Sequence, residues 1–371
     1  MADEKKRILQ LVESGKLTVE EALALMEKLD QADAGKENTA DEKEILNELA
    51  EEVKFKEKKK EIPSFNFQSA KDKLFEFVDT TIKKVKDVDL DLNFGHYEEV
   101  SHIFQYTDIS PDNIDIDIPN GEIELIPWDQ EEIRIECKAK IYRVQTLDEA
   151  KQIFLKEVRI AADNDKLDIK VFHKWMKLHT NIYIPKSEYK MIKLRLFNGS
   201  IKTYEITADQ LYTKTANGKI TLIAGQLKKV EADAANGSIE VDKSIVEELD
   251  AETINGIIKA EGYFQKVDLQ SFNGNLVCTN HSDVCEYFDL KGTTGSIEVN
   301  VNEGLAVNGS LKTNFGGFNV ELEGIQIIEE KNEVLQKTLQ FQSVQSEPKR
   351  TLIDANTKTG SIKIQKIVEK S

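Results

Sequence analysis

The phrase Asn-Gly-small-Ile recurs about every nineteen residues, and no other feature of the chain restricts its fold as tightly. Asn198-Gly199-Ser200-Ile201 is followed by Asn217-Gly218-Lys219-Ile220, Asn236-Gly237-Ser238-Ile239, Asn255-Gly256-Ile257-Ile258 and Asn273-Gly274-Asn275-Leu276. Thr294-Gly295-Ser296-Ile297 continues the series, Asn120-Gly121-Glu122-Ile123 is an early copy, and Thr359-Gly360-Ser361-Ile362 is a late one. Gly adopts a left-handed backbone at little steric cost, so a Gly at one phase of every unit predicts one turn made repeatedly. A period near twenty residues predicts a solenoid, in which each unit buries its apolar face on its neighbours. Propeller blades need about 40 residues and are disfavoured. The expected fold is mainly β, a β-solenoid (β-helix) with repeats of about 19 residues over residues 96–371.

The phrase also sorts its neighbours. Six residues before each corner stand Leu211, Val230, Leu249, Val267 and Phe288. Four before it stand Thr213, Ala232, Ala251, Leu269 and Leu290, and two before it Thr215, Ala234, Thr253, Ser271 and Gly292. These rows alternate with polar ones, so they should point inward and narrow toward the corner. After the corner, Ile201, Ile220, Ile239, Ile258, Leu276 and Ile297 form another inward row.

The outward rows are where function can sit. Five residues before the corner come Tyr212, Glu231, Asp250, Asp268 and Asp289, and three before it Lys214, Asp233, Glu252, Gln270 and Lys291. In that register Glu231, Asp250, Asp268 and Asp289 form a carboxylate ladder, supplemented by Asp233 and Glu252. Like charges one rung apart oppose each other by about 1 kcal/mol per pair in water, and by more when shielded from it. Such a row is either a well-hydrated face or an offer to something cationic, such as a basic peptide or a polyamine-like ligand. The opposite outward row (Lys202, Thr221, Glu240, Lys259, Val277, Glu298) is of mixed sign and reads as solubility chemistry.

Before the β region the period is helical. Residues 1–31 predict a helical hairpin: Ile8, Leu11 and Val12 on one helix, then Thr18 with Glu21 as a capping box opening a second. Two such helices bury too little to stand alone, so self-association or docking on a protein partner is expected. Residues 32–62 are charged and read as a linker. Within residues 63–95, Phe67, Leu74, Phe75, Val78, Ile82 and Val85 make one apolar face, flanked by Lys71, Lys73, Lys83, Lys84 and Lys86. That helix fits either a protein surface or peripheral contact with an anionic membrane. A further helix near 146–158, capped by Thr146 with Glu149 and faced by Ala150, Ile153, Phe154 and Val158, is placed to cover the open end of the stack.

Composition narrows the function. A net charge of −17 argues against nucleic-acid binding and leaves cationic partners open. No apolar run reaches the length of a membrane span and no signal peptide is legible, so a cytoplasmic or membrane-peripheral location is expected. Cys137, Cys278 and Cys285 are too sparse for a disulfide scaffold. Cys278-x-x-His281-x-x-x-Cys285 offers only three zinc-type ligands. Asp115-x-Asp117 with Asn120-Gly121 is a partial calcium phrase lacking its bidentate Glu. His173 and His179 flank Trp175 on what reads as one strand face, too far apart to share a metal. Walker, Rossmann and nucleophile-elbow phrases are absent, and Arg and stacking aromatics are scarce in the repeats. We therefore expect no catalytic residues, no metal and no cofactor; a glycan-active β-helix enzyme is the weakest reading.

Two segments together resemble a known family. Lys6-Arg7-Ile8-Leu9-x-Leu11-Val12-x-Ser14-Gly15-Lys16-Leu17-Thr18-x-Glu20-Glu21-Ala22 resembles the SHOCT-like helical hairpin, and the Asn-Gly-Ser-Ile series resembles the adhesin-type β-solenoid domain. Hairpin, linker and solenoid in this order resemble the YvlB/LiaX-type proteins of Gram-positive bacteria. The resemblance implies a non-enzymatic role in the cell-envelope stress response to membrane-active antibiotics and cationic antimicrobial peptides. For the LiaX branch it further implies surface display, an N-terminal part that senses the antimicrobial, and a β domain that acts as a brake. Non-classical export is thus the alternative to a cytoplasmic location. The competing function is a structural or adhesin-like solenoid whose N-terminal helices drive oligomerisation.

Overall fold

The computed structural model describes residues 95–344 and 350–367. The hairpin, linker and amphipathic helix expected before residue 95, with the face of Phe67, Leu74, Phe75, Val78, Ile82 and Val85, lie outside the described residues.

From Tyr97 onward the chain is a β-solenoid in which each rung is a bent ribbon. One face carries the strands that enter the corners: Thr207–Asn217 pairs in parallel with Gln226–Asn236, and the series runs on through Ile239–Asn255, Ile258–Asn273 and Tyr287–Thr294. The other face carries the strands that leave them: Ile220–Ile223, the starts of Ile239–Asn255 and Ile258–Asn273, then Leu276–Asn280 and Ile297–Val301. Between rungs the chain turns back through a second corner, where Glu205, Ala224 and Lys243 take left-handed φ of 45°, 53° and 50°.

The inward rows form the core. Leu211, Val230, Leu249, Val267 and Phe288 are register partners in series and fully buried, as is the row from Ile201 to Ile297 after the corner. The hydroxyls two residues before the corner have a specific task. Thr215, Thr253 and Ser271 donate to the carbonyls of Gly199, Gly237 and Gly256 at 3.2, 2.9 and 3.0 Å, satisfying a corner acceptor of the adjacent rung.

Each letter of the Asn-Gly phrase answers to the neighbouring rung. Asn198 Nδ2 donates to Asn120 Oδ1 at 2.8 Å, and the pattern repeats from Asn217 to Asn198, Asn236 to Asn217, Asn255 to Asn236 and Asn273 to Asn255 at 2.8–3.0 Å. Stacked amides of this kind stabilise parallel in-register strands. The Gly requirement is conformational at Gly121, Gly199, Gly218, Gly274, Gly295 and Gly360, whose φ is 131–157°, and steric at every corner of the series. A Cβ on Gly199 would lie 1.7 Å from the carbonyl oxygen of Gly121, and one on Gly218, Gly237, Gly256, Gly274 or Gly295 would lie 1.7–2.2 Å from that of the preceding corner. Left-handed φ is not the shared cause, because Gly237 and Gly256 lie outside that region.

Chain order and stacking order part company at both ends. The Asn120 rung, strand Asn113–Trp128, lies between the Asn198 rung and a rung made by Lys166–Val171 and Met176–Pro185. At the other end the last strand pair, Thr351–Thr359 and Ile362–Lys366, is inserted between the Thr294 rung and the earlier pair Val307–Phe315 and Phe318–Glu321. An antiparallel hairpin, Ile325–Asn332 with Lys337–Ser343, extends the stack beyond them.

At the N-terminal end the helix Leu147–Glu157 bridges the two faces, packing on Tyr97–Tyr106 and Ile133–Tyr142 on one side and Val158–Ala162 on the other. Thr146 Oγ1 accepts from Glu149 N at 3.2 Å, while Glu149 Oε2 accepts from Gln145 N at 2.9 Å, closing the box one residue early. Ala150 and Phe154 are fully buried beneath it.

Gly237→Ala is expected to cost more than about 3 kcal/mol, because the atoms that its Cβ would strike are main-chain atoms of Gly218 rather than the end of a flexible side chain. Gly317→Ala, with nothing within 4 Å of its added Cβ, is the control and should melt close to wild type. Equal melting temperatures for the two variants would contradict the steric account.

Candidate functional site

The parallel register carries every fifth-before-corner residue onto its counterpart. Tyr212, Glu231, Asp250, Asp268 and Asp289 are successive register partners on the outer face of the entering strands. Asp289 is followed by Asp354, because the Thr359 rung is inserted beside the Thr294 rung. The row therefore holds five carboxylates, Glu231, Asp250, Asp268, Asp289 and Asp354, and ends at Ser310. Asp354 is detectable in the sequence: it stands five residues before Thr359-Gly360, and only its distant position hides it.

The flanking third-before-corner row qualifies the picture. Asp233 and Glu252 are register partners, but Glu252 is 7% exposed and Gln270 beside it 2%, so neither is presented to solvent. Asp233 pairs with Lys214 at 2.9 Å and Asp289 with Lys291 at 2.6 Å, while Glu231 lies 4.0 Å from Lys229. Asp268 accepts from Gln270 Nε2 at 3.1 Å. A shallow groove lined by Lys193, Arg195, Tyr212 and Lys214 opens beside Glu231 and Asp233.

The centre of the row takes up protons at higher pH than ordinary carboxyls. Burial pushes the Asp250 carboxyl up to about 7, with further upward pressure from Asp268, Asp233 and Glu231 and only Lys229 opposing. Burial and then Asp289 push Asp268 up to about 6, against the Gln270 hydrogen bond and Lys291. Asp354 is raised by burial and by Asp289. Neighbouring carboxyls this close titrate as a row rather than as independent groups.

The N-terminal rungs treat their acids differently. Asp115 is held by Lys166 at 2.9 Å and Arg195 at 2.8 Å, Asp117 by Arg195 at 3.3 Å, and Asp168 by Lys166 and Lys170. The partial calcium phrase is thus a set of ion pairs. The Cys-His-Cys phrase is likewise dispersed: Cys278 and Cys285 point into the core, while His281 faces outward near Glu261 and Tyr263. Burial pushes the Cys137 and Cys285 thiols up to about 12, and Cys278 higher still. His173 and His179 do not share a strand face as expected, because the chain turns at 173–175; His179 Nδ1 instead lies 3.1 Å from Glu122. Among the described residues no group of three or more His, Cys, Asp or Glu is arranged to hold a metal ion. No described helix is long and apolar enough to cross a membrane.

Residues 111–365 match the model of the family described as Toastrack DUF4097. The chain belongs to that family. Residues 3–33 match a SHOCT-like domain, so the toastrack domain follows a SHOCT-like N-terminal segment. YvlB of Bacillus subtilis, itself uncharacterised, is 39% identical over 370 residues, covering 98% of this chain and 99% of its own. The chain is therefore of the YvlB type. Among solved structures, a proposed adhesin from Bacteroides fragilis covers 73% of this chain and 97% of its own at 11% identity and a TM-score of 0.35. Another from Parabacteroides distasonis covers 73% and 98% at 13% identity and a TM-score of 0.32.

The raised carboxyls make toastrack stability fall with pH. An unfolded Asp titrates near 3.9, so between about pH 4 and 7 the folded state binds more protons than the unfolded state and is destabilised as they leave. Asp250→Asn removes the share of the effect that Asp250 contributes. It should raise the melting temperature by several degrees at pH 8, on the order of 2 kcal/mol, and change it little at pH 4. A variant whose melting profile ran parallel to wild type across that range would refute the assignment.

Proposed function

We propose that this chain is a non-enzymatic envelope-stress protein whose toastrack domain receives a cationic peptide along the row Glu231, Asp250, Asp268, Asp289 and Asp354. The observation that carries the reading is the uncompensated centre of that row. The same scaffold surrounds Asp115 and Asp168 with Lys and Arg, yet stacks Asp250 on Asp268 with burial raising both. A lysine- or arginine-rich peptide laid along the rungs would meet a carboxylate about every 4.8 Å and relieve their mutual repulsion. Asp233 then serves as a flanking charge, exchanging Lys214 for the ligand, while Glu252 is buried and takes no part in contact with it. The SHOCT-like segment and the helix of residues 63–95 supply self-association or peripheral contact with an anionic membrane. The protein acts in the cytoplasm at the inner membrane surface, or exposed on the cell surface.

A basic antimicrobial peptide should bind the full chain in titration calorimetry at pH 8 and bind at least about tenfold more weakly at pH 5, where Asp250 and Asp268 are protonated. The variant Glu231→Gln/Asp250→Asn/Asp268→Asn/Asp289→Asn should lose the same binding at pH 8. Unchanged affinity in that variant would remove the cationic-ligand reading. Flotation of the chain and of its Phe67/Leu74/Val78→Asp variant with anionic liposomes tests the membrane component, which fails if neither floats.

A further inference from the structure

The corners that build the stack are also its chemical weak points. Asn-Gly is the dipeptide most prone to lose its side-chain amide, because Gly leaves the following nitrogen unshielded. That nitrogen, on losing its proton, attacks the Asn Cγ; Nδ2 leaves as ammonia and a succinimide closes. Water then opens the ring to aspartate or isoaspartate, so each event releases one ammonia and takes up one water. The chain carries seven such pairs, six of them at rung corners: Asn120, Asn198, Asn217, Asn236, Asn255 and Asn273. The seventh, Asn308, lies inside strand Val307–Phe315.

At the corners both partners of the reaction are engaged. The attacking nitrogens of Gly218, Gly237, Gly256 and Gly274 donate to the carbonyls of Asn236, Asn255, Asn273 and Thr294, each at 2.9 Å. The amide that must swing toward that nitrogen is held at both ends. Asn236, for example, donates to Asn217 Oδ1 at 3.0 Å and accepts from Asn255 Nδ2 at 2.8 Å. The row is terminated rather than left open: Asn120 Nδ2 donates to the Lys174 carbonyl at 2.9 Å, and Thr294 Oγ1 donates to Asn273 Oδ1. Most of these side chains are solvent-exposed, so exclusion of water does not protect them.

We infer that the Asn corners are latent deamidation sites, held unreactive by the side-chain amide ladder itself, and that modification of one corner exposes its neighbours. An aspartate at a corner has no Nδ2 to donate to the preceding Asn of the row. An isoaspartate also lengthens the main chain by one carbon at the place where corner glycines leave no room for a Cβ. A modified rung cannot restack in the original register, so chemical ageing spreads along the row.

Peptide mapping by mass spectrometry of the full chain, held at alkaline pH in native buffer or in concentrated urea, reads each corner separately. Asn198, Asn217, Asn236 and Asn255 should deamidate at least about tenfold more slowly in the folded protein. Asn236→Ala should then speed the reaction several-fold at Asn217 and Asn255, its two ladder partners, while circular dichroism shows the stack intact. Asn236→Thr, whose hydroxyl can both donate and accept as that of Thr294 donates, should leave those rates near wild type. If Asn236→Ala does not fold, Asn273→Ala at the end of the row takes its place, with Asn255 as the reporter. Equal rates at the partner corners in a folded Ala variant and in wild type would overturn the inference, as would equal rates in native buffer and urea.

Discussion

Everything in this solenoid depends on the approach of one main-chain corner to the next. A carbonyl oxygen stands where a Cβ would have to be, so the corner is open only to Gly, and the rungs must come together there or not at all. Once they do, the rest of the unit is constrained. The residue before the Gly is held beside its counterpart, which suits an amide able to donate to one neighbour and accept from the other. The inward residue two places earlier lies close to the corner carbonyl, which suits Thr or Ser better than a larger apolar side chain. Bulk returns only at the fourth and sixth positions, where the faces diverge enough for Leu, Val and Phe.

The constraint is indifferent to chain order, and the two ends of the stack exploit this. Every rung offers the same parallel main-chain edge, so the strand pair ending at Lys366 fits between the Thr294 and Phe315 corners as well as it would at the end. Its insertion gives the last strands ladder partners on both sides. On the entering face the free edge is transferred to the hairpin strand Ile325–Asn332, which carries Glu329, Glu330 and Lys331, charges that discourage further strand addition, alongside exposed Ile327 and Ile328. The amide row stops at Asn273, and the three following corners carry Thr294, Thr359 and Phe315. The C-terminal rungs thus lack the amide ladder that still joins Asn198 to Asn120 across the other break in chain order, and the hydroxyls of Thr313 and Thr357 donate instead to the carbonyls of Gly360 and Gly295.

What the sequence discloses follows from this geometry. A fixed period converts sequence spacing directly into register, so the inward rows and the stacking of Glu231, Asp250, Asp268 and Asp289 can be read from spacing alone. Insertion of one rung between two others leaves no trace in local spacing, which is why Asp354 joins the row unannounced. The positive φ expected of the corner Gly is present at Gly121, Gly199, Gly218, Gly274, Gly295 and Gly360, but the second constraint, a clash with another rung, is invisible in the sequence because φ is a property of one residue. Asn308-Gly309-Ser310-Leu311 shows the limit of the phrase itself. It has the same letters but lies mid-strand, and Gly309 is needed there because the Phe341 ring occupies the space of its Cβ. Burial of Glu252 and Gln270 was equally hidden, since both stand at outward phases.

The acidic row is best understood against the ion pairs of the N-terminal rungs. Both regions stack carboxylates at the same phase of the repeat, so the scaffold imposes no difference between them. At Asp115 and Asp168 the adjacent positions supply Lys166, Lys170 and Arg195, and the charges are matched within the fold. At Asp250 and Asp268 the adjacent outward residues are Glu252 and Gln270, so protons become the readiest counter-charge. Protons are exchangeable where a lysine on the same chain is not. A row whose counter-charge is exchangeable protons keeps its carboxylates available, and a cation taken up there, as proposed, would displace protons. On the proposed reading binding and acidity act on the same atoms, which would couple occupancy of this face to pH without any moving part.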